Sequence, residues 1–430
     1  MDKADRSTTV NVAIILQTIA VVVSVLIVQR ILACGLPVQA TSLYPALILA
    51  SILERLAAFA SDVSLERDWV VALCGARRTS ALALANGNLR RADQVSEFVT
   101  SLAVGYCVTQ FPMNTVSGIT IVINIVLAAA IVLLVQQVVR ISPRAMRRRS
   151  KDRGDPEDIM WRFKKRPAGR SGADGGSGAI ARGAADAARA FLRQAGSVLR
   201  DVSLTWRRYF RQPTAITSYT TVILYFNAVL APGGLMTAYL TLIGCSGTGA
   251  AIFRSSCAVL GFMGTVLGSY LITTAGLLRT GMIAVVWQSG TLLAAGAIFF
   301  AFLGSPGEAV SGLTLWGMPA ATLLFCLLVV ISRAGLWMFD MAHAQILQQN
   351  VPSSEMSSVG GVELSFCSLA ELCMLGLAAV VADTPRGFHI LVFMSCLAVL
   401  SSALLFCGWV LSGRAAEACS RPVAPVGSKP

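Results

Sequence analysis

The chain has 430 residues, 55% hydrophobic and only 13% charged, with a mean hydropathy of +0.69. Soluble domains carry about 25% charged residues, so this composition excludes an ordinary soluble protein and reads as an integral membrane protein whose first partner is the lipid bilayer. The net charge of +13 does not signal nucleic acid, because 19 of the Lys and Arg residues lie between Arg140 and Arg211, in one interhelical loop.

A membrane-crossing helix needs about 20 apolar residues. The first such run predicts a span over 10–34. It ends in Ile-Leu-Ala-Cys, a faint lipoprotein-like cleavage pattern, but its apolar stretch from Val10 to Val28 is too long for a signal-peptide core and reads as a retained helix. A second span is expected over 40–62, with Glu54 and Arg55 inside it. Charges at that depth face protein or an aqueous cavity, so this helix is expected to line a cavity. Being adjacent, the two charges point in different directions around the helix. Spans over 95–112 and 116–140 follow.

The segment 141–212 is the one linker. Its Gly/Ser-rich core is expected to be flexible. Ala181 to Asp201 has a basic, amphipathic helical composition and reads equally as a membrane-surface helix or a solvated one. Six further spans are predicted, over 215–243, 250–273, 281–303, 314–343, 358–382 and 387–412. The first of these is interrupted by Pro232-Gly233-Gly234. Proline and glycine inside an apolar helix kink or unwind it, and the freed carbonyls are tolerated only inside protein or beside a cavity. A broken helix of this kind reads either as a packing kink or as part of a transporter's binding site. The expected fold class is therefore all-α, a polytopic membrane protein with four spans before the linker and six after it. The domains are 1–140, the linker 141–212, a six-helix bundle 213–413 and a tail 414–430.

Placing the basic linker in the cytoplasm puts 63–94, the Arg279 loop, 344–357 and both termini on the same side. The opposite side then keeps little positive charge, chiefly Arg386. That satisfies the preference for positive charge on cytoplasmic loops. Eleven cysteines are scattered with no Cys-x-x-Cys and no His/Cys cluster, which argues against a disulfide framework or a zinc site. There is no nucleophile elbow, His-Glu-x-x-His or phosphate-binding loop. No enzyme activity and no cofactor are expected.

Glu-Arg-Asp-Trp at 66–69, Leu-Ala-Asn-Gly-Asn-Leu-Arg-Arg-Ala-Asp-Gln at 84–94 and the long block 332–355 beginning Ser-Arg-Ala-Gly-Leu-Trp are the most distinctive stretches. Together they resemble the ferroportin family, iron exporters of the major facilitator superfamily. The resemblance runs in order from about residue 10 to 410. It implies a two-bundle fold of twelve helices, of which the first two would precede Met1, matching the four-plus-six count. It also implies alternating access, a divalent metal such as Fe²⁺ as cargo, and no cofactor; a monomer is expected.

In such carriers, charges at the cytoplasmic helix ends pair across the two halves in the outward-facing state. Arg67, Asp68, Arg91 and Asp93 are similar to the family's gate residues on the first half. The reading that these charges simply cap helices and mark the cytoplasm stays open. On the second half, Met356 stands where the family carries an arginine, leaving Glu355, which cannot pair with Asp68. The metal ligands also depart. The family's cysteine in the broken helix falls on Gly234 and its histidine on Met374, with Glu371 matching an acid one turn earlier. Glu371 and Met374, three apart, are expected to share a helix face and would make a weak, softer metal site; Glu371 reads alternatively as a cavity acid or proton-coupling group. His343 and His389 read as capping or interface histidines. Asn124 matches a family asparagine near a calcium-responsive site. Pro232, Gly233, Gly234, Asn124 and Glu54 are thus the candidate cavity residues. The resemblance implies an iron transporter. The alternatives are a carrier of another metal, chelate or organic solute, or a truncated, non-transporting form.

Overall fold

A computed structural model describes residues 6–34, 43–75, 79–143, 200, 202–207, 209–212, 214–303, 314–315, 318–352, 355–381 and 387–420. Most of the linker, including all of Ala181–Asp201 except Arg200, lies outside these residues, as does Arg386.

Each predicted span is a helix. They are α1 (Arg6–Cys34), α2 (Tyr44–Asp62), α4 (Thr79–Gln110), α5 (Met113–Ile141), a broken pair α6 (Ala215–Leu224) and α7 (Gly234–Leu242), α8 (Gly247–Thr274), α9 (Leu277–Ile298), α10 (Ala320–Asn350), α11 (Met356–Val381) and α12 (Gly387–Leu411). There are also two short helices, α3 (Val70–Cys74) and α13 (Arg414–Ser420). Seven of the described helices are long and apolar enough to cross a membrane. The rest are α2, with two charges at its centre, α4, polar in its first half, and the interrupted pair α6–α7.

Three boundaries differ from expectation. α4 begins at Thr79 rather than 95, because Ala, Leu, Arg and Gln continue a helix well while the hydropathy pattern marks only its apolar part. α2 runs into a π-helical turn, Val63–Trp69, which carries the Glu-Arg-Asp-Trp motif. Such π segments are rare and are often found at functional sites. Finally, 314–319 is not helical. Thr314–Leu315 (β1) and Met318–Pro319 (β2) pair as a two-residue antiparallel ladder before α10.

Packing follows the apolar faces. α1 lies against α2 and α5, and Trp69 of the π turn joins Val10, Ile14 and Val135 in a small cluster. α4 touches α5 only lightly and lies chiefly along α8 and α10. Ala83, Ile272 and Met341 are buried where those three helices meet. The largest core fills the second six helices, with Phe299, Phe325, Phe339 and Phe406 each exposed by 2% or less. Ahead of α6, Trp206 and Tyr209 pack their rings on Phe366 of α11, at centroid distances of 5.0 and 5.7 Å.

α10 sits centrally because glycines let its neighbours approach closely. A Cβ at Gly264 of α8 would lie 2.5 Å from the Ala334 carbonyl oxygen, and one at Gly335 would lie 2.7 Å from the Gln288 backbone nitrogen of α9. Neither neighbour is a flexible tip, so the helices would have to separate. Overpacking of this kind costs about 1–3 kcal/mol. Gly335→Val is therefore expected to lower the thermal unfolding midpoint in detergent, whereas Gly290→Val, at an exposed α9 position with nothing within 4 Å, leaves it unchanged. Equal midpoints for the two variants would show that close α9–α10 contact is not required.

Candidate functional site

The charged residues of the π turn and the first half of α4 meet α10 in one seam. Arg90 is its centre. Its Nε lies 2.6 Å from Asp340 Oδ2 on α10, and its Nη1 and Nη2 donate to both carboxylate oxygens of Glu66 at 2.8 and 2.9 Å. Asp93, one turn along α4, adds a 3.3 Å contact, and the guanidinium stands 5.7 Å from the Trp337 ring. Bidentate guanidinium–carboxylate pairing is among the stronger polar interactions. Burial alone would lower the Arg90 pKa. The surrounding Asp340, Glu66 and Asp93 outweigh it and hold the group above its usual value. Arg90 is a fixed cation.

Beside it, Asn86 of α4 and Gln348 of α10 exchange amide hydrogen bonds of 2.8 and 3.1 Å, both side chains nearly fully buried. Gln348 also donates to the Glu66 carbonyl at 3.0 Å. Further along, Arg91 donates to Ser269 Oγ of α8 at 3.0 Å, and Arg254 of α8 pairs with Glu97 of α4 at 3.5 Å.

Above this seam is a cavity of about 350 Å³. The break between α6 and α7 opens into it at Gly233 and Gly234. α10 contributes Arg333, Trp337 and Asp340, which recur at i, i+4 and i+7 on one helical face. Buried Gln288 and Asn227 supply amides. Arg55 of α2 reaches across to Glu371 of α11 at 3.5 Å. With side chains 56% and 42% exposed, that pair is worth under about 1 kcal/mol.

Several expected residues take other positions. Arg55 lines the cavity, but its neighbour Glu54 does not: it turns toward α1 and accepts from Gln17 Nε2 at 3.2 Å. The adjacent charges diverge because consecutive helical positions lie about 100° apart. The postulated Glu371–Met374 ligand pair is also not assembled. Glu371 lines the cavity, whereas Met374 is 1% exposed in the apolar core of the second six helices. Residues three apart share only a broad face, and the thioether takes its buried edge. Among the described residues no three His, Cys, Asp or Glu side chains converge as a metal site.

Gly233 and Gly234 line the cavity, and Pro232 lies between Ala231 and Gly233 in the break. Asn124 lies on α5 away from this cavity, its Oδ1 buried without a hydrogen-bond partner. Arg91 and Asp93 belong to the seam. Glu355 opens the turn into α11, its N–H donating to the Pro352 carbonyl. Arg67 and Asp68 lie on the π turn, and their side chains lie outside the described residues. His343 is an interface histidine, its Nε2 3.1 Å from Glu363 Oε1 with both residues 1% exposed. His389 packs edge-on against Phe299, with ring centroids 5.2 Å apart.

Glu66, Asn86, Arg90, Asp340, Gln348, Gln288 and Arg333 were missed. The i, i+4, i+7 spacing of Arg333, Trp337 and Asp340 was the available signal on α10. Nothing in the spacing tells which arginine of the Arg90–Arg91 pair turns inward.

A sequence model described as Ferroportin1 (FPN1) matches residues 1–399. The chain belongs to the ferroportin family. "Solute carrier family 40 member 2, chloroplastic" of Oryza sativa subsp. japonica is 31% identical over 365 residues, 85% of this chain and 55% of that protein. "Ferroportin" of Homo sapiens is 24% identical over 412 residues, covering 83% of this chain and 70% of that one. The chain spans about half the length of the first of these relatives. A bacterial homologue of the iron transporter ferroportin superposes with a TM-score of 0.65 in its outward-facing state and 0.57 in its inward-facing state. Those structures are 20% and 19% identical and each cover 95% of this chain and 84% of their own. The likeness establishes an all-helical, polytopic membrane fold; the family is one of transporters, not enzymes.

The seam makes a measurable claim about stability in this ferroportin-family chain. Removing one partner of a largely buried ion cluster costs about 3–5 kcal/mol, so Arg90→Met should strongly lower the unfolding midpoint. Arg91→Met, which gives up one hydroxyl and one amide contact, should lower it far less. Similar losses for both would show that Arg90 holds no special place.

Proposed function

We propose that the protein is an alternating-access carrier that moves a metal across the membrane, with Fe²⁺ export as the first reading. The single observation that supports it is the double role of Asp340. This carboxylate lines the cavity and also forms the ion pair with Arg90 that ties α4 to α10. A cargo reaching the cavity therefore stands beside the ion cluster that closes one end.

In this reading the seam lies on the cytoplasmic side, with the basic linker and both termini, and it parts when the carrier faces inward. The cluster must be strong enough to close the seam yet reversible. Ligands shift such an equilibrium only through different affinities for the two states. Cargo acting on Asp340 would supply that difference. A second reading, cargo other than a bare metal ion, is favoured by the cavity lining, where neither a thiolate nor an imidazole is found among the described residues.

The reading is tested by efflux of radiolabelled iron from cells expressing the full chain, beside Arg90→Glu, Asp340→Arg and the double exchange. Faster efflux than in empty cells is expected, with each single reversal abolishing it and the exchange restoring part of it. Efflux equal to empty cells, beside a working ferroportin, would favour a non-transporting form.

A further inference from the structure

The charges around the cavity do not balance in the way a bare dication requires. Four charged side chains line it: Arg55, Arg333, Asp340 and Glu371. Both carboxylates are already engaged, Asp340 by Arg90 at 2.6 Å and Glu371 by Arg55 at 3.5 Å. Arg333 is not. Among the described residues it has no carboxylate within ion-pair distance and no side-chain hydrogen bond, and Glu97, the carboxylate that acts on it from α4, is paired with Arg254.

A second positive feature faces the same space. α7 begins at Gly234 with Gly233 as its N-cap and no side-chain cap, and its first intrahelical-type bond runs from Thr237 N–H to the Gly233 carbonyl. The N–H groups of the first turn thus have no helical acceptor, and they carry the positive end of the helix dipole. Glycine at 233 and 234 leaves them uncovered: a Cβ at Gly234 would meet nothing within 4 Å, and one at Gly233 only the Ala228 carbonyl oxygen at 3.9 Å. Half-helix N-termini at a cavity hold anionic groups. A guanidinium matches the planar geometry of a carboxylate. Two buried amides complete the wall, with Gln288 Oε1 and Asn227 Oδ1 lacking hydrogen-bond partners. Both free atoms are carbonyl oxygens, which only accept, so they suit a hydroxyl donor on an organic acid and leave its carboxylate to Arg333 and the helix end.

We propose that the cavity takes its cargo as an anion, a carboxylate-bearing solute that carries the metal as a complex, held by Arg333 and the bare N-terminus of α7. This rests on the carrier reading above in its second form, with cargo other than a bare metal ion, and names the class of that cargo. Arg55 joins the site when it leaves its weak pair with Glu371.

The test is equilibrium binding to the purified full chain in detergent, with three probes: citrate, iron(III) citrate and Co²⁺ alone. Iron(III) citrate should bind and Co²⁺ alone should bind far more weakly or not at all. Binding of metal-free citrate as well would make the organic anion itself the recognised group; binding of the iron complex alone would make it the metal chelate. Arg333→Gln should weaken the anion about tenfold or more, as expected for a lost charge-assisted hydrogen bond, while Arg333→Lys retains most of the affinity. Co²⁺ binding more tightly than either citrate probe would overturn the proposal, as would anion binding by folded Arg333→Gln equal to that of the parent. Should Arg333→Gln fail to fold, the comparison of the three probes on the parent protein decides alone. The two readings separate in proteoliposomes. Anion binding without flux of any cargo sinks the carrier and leaves the site, whereas Co²⁺ flux without anion binding or competition sinks this inference and leaves the carrier.

Discussion

A single guanidinium holds the centre of this molecule. Among the described residues of the seam, Arg90 alone touches three carboxylates from three places: Glu66 in the π turn, Asp93 on its own helix and Asp340 on α10. An isolated charge so poorly exposed would be costly. Three acceptors make the buried cation tolerable and, in doing so, fix α4 against α10. The π turn follows from the same need. It carries Glu66 toward Arg90 with both carboxylate oxygens in reach, while Trp69 at its end seats in the α1–α5 cluster. One segment thereby anchors an ion cluster and an apolar core.

The polar contacts around the cavity form a graded series. The Arg90 cluster and the reciprocal Asn86–Gln348 amides are short and largely buried, whereas Arg55–Glu371 and Arg254–Glu97 stand at 3.5 Å with exposed partners. Exposed pairs are screened and contribute little. Strong links therefore lie between α4 and α10, and weak ones between α2 and α11 and between α4 and α8. Parting the seam requires a compensating partner for Asp340 or Arg90. The α6–α7 break lines the same cavity as Arg55, Glu371 and Asp340, so the start of α7 lies where strong and weak contacts meet.

Much of the fold was legible in the sequence because a bilayer imposes one-dimensional rules. The apolar runs had to be helices, and most were found within a few residues of their expected ends, as with α1 at Arg6–Cys34 and α12 at Gly387–Leu411, whereas α4 starts 16 residues early and α10 runs on to Asn350 rather than 343. The Pro-Gly-Gly break was also readable, since backbone chemistry acts locally. The early start of α4 and the ladder at 314–319 were not, because hydropathy marks where lipid lies rather than where hydrogen bonding begins.

The site divides along the same line. The sequence pointed to Gly233, Gly234, Glu54 and Arg55 as groups that had to face protein or water, because a charge or an unwound backbone cannot face lipid, and the family resemblance pointed to Glu371. It could not say that Glu54 turns to Gln17, that Met374 sinks into the core, or that Arg90 rather than Arg91 reaches Asp340. Those outcomes depend on how helices rotate about their axes and on which neighbour each rotation meets, 37 positions away in the chain for Glu54 and Gln17 and 250 for Arg90 and Asp340. Composition and local backbone chemistry determined a polytopic helical protein with a broken helix and buried charge. Only the tertiary packing decided which charges cancel, and so left Arg333 facing open space.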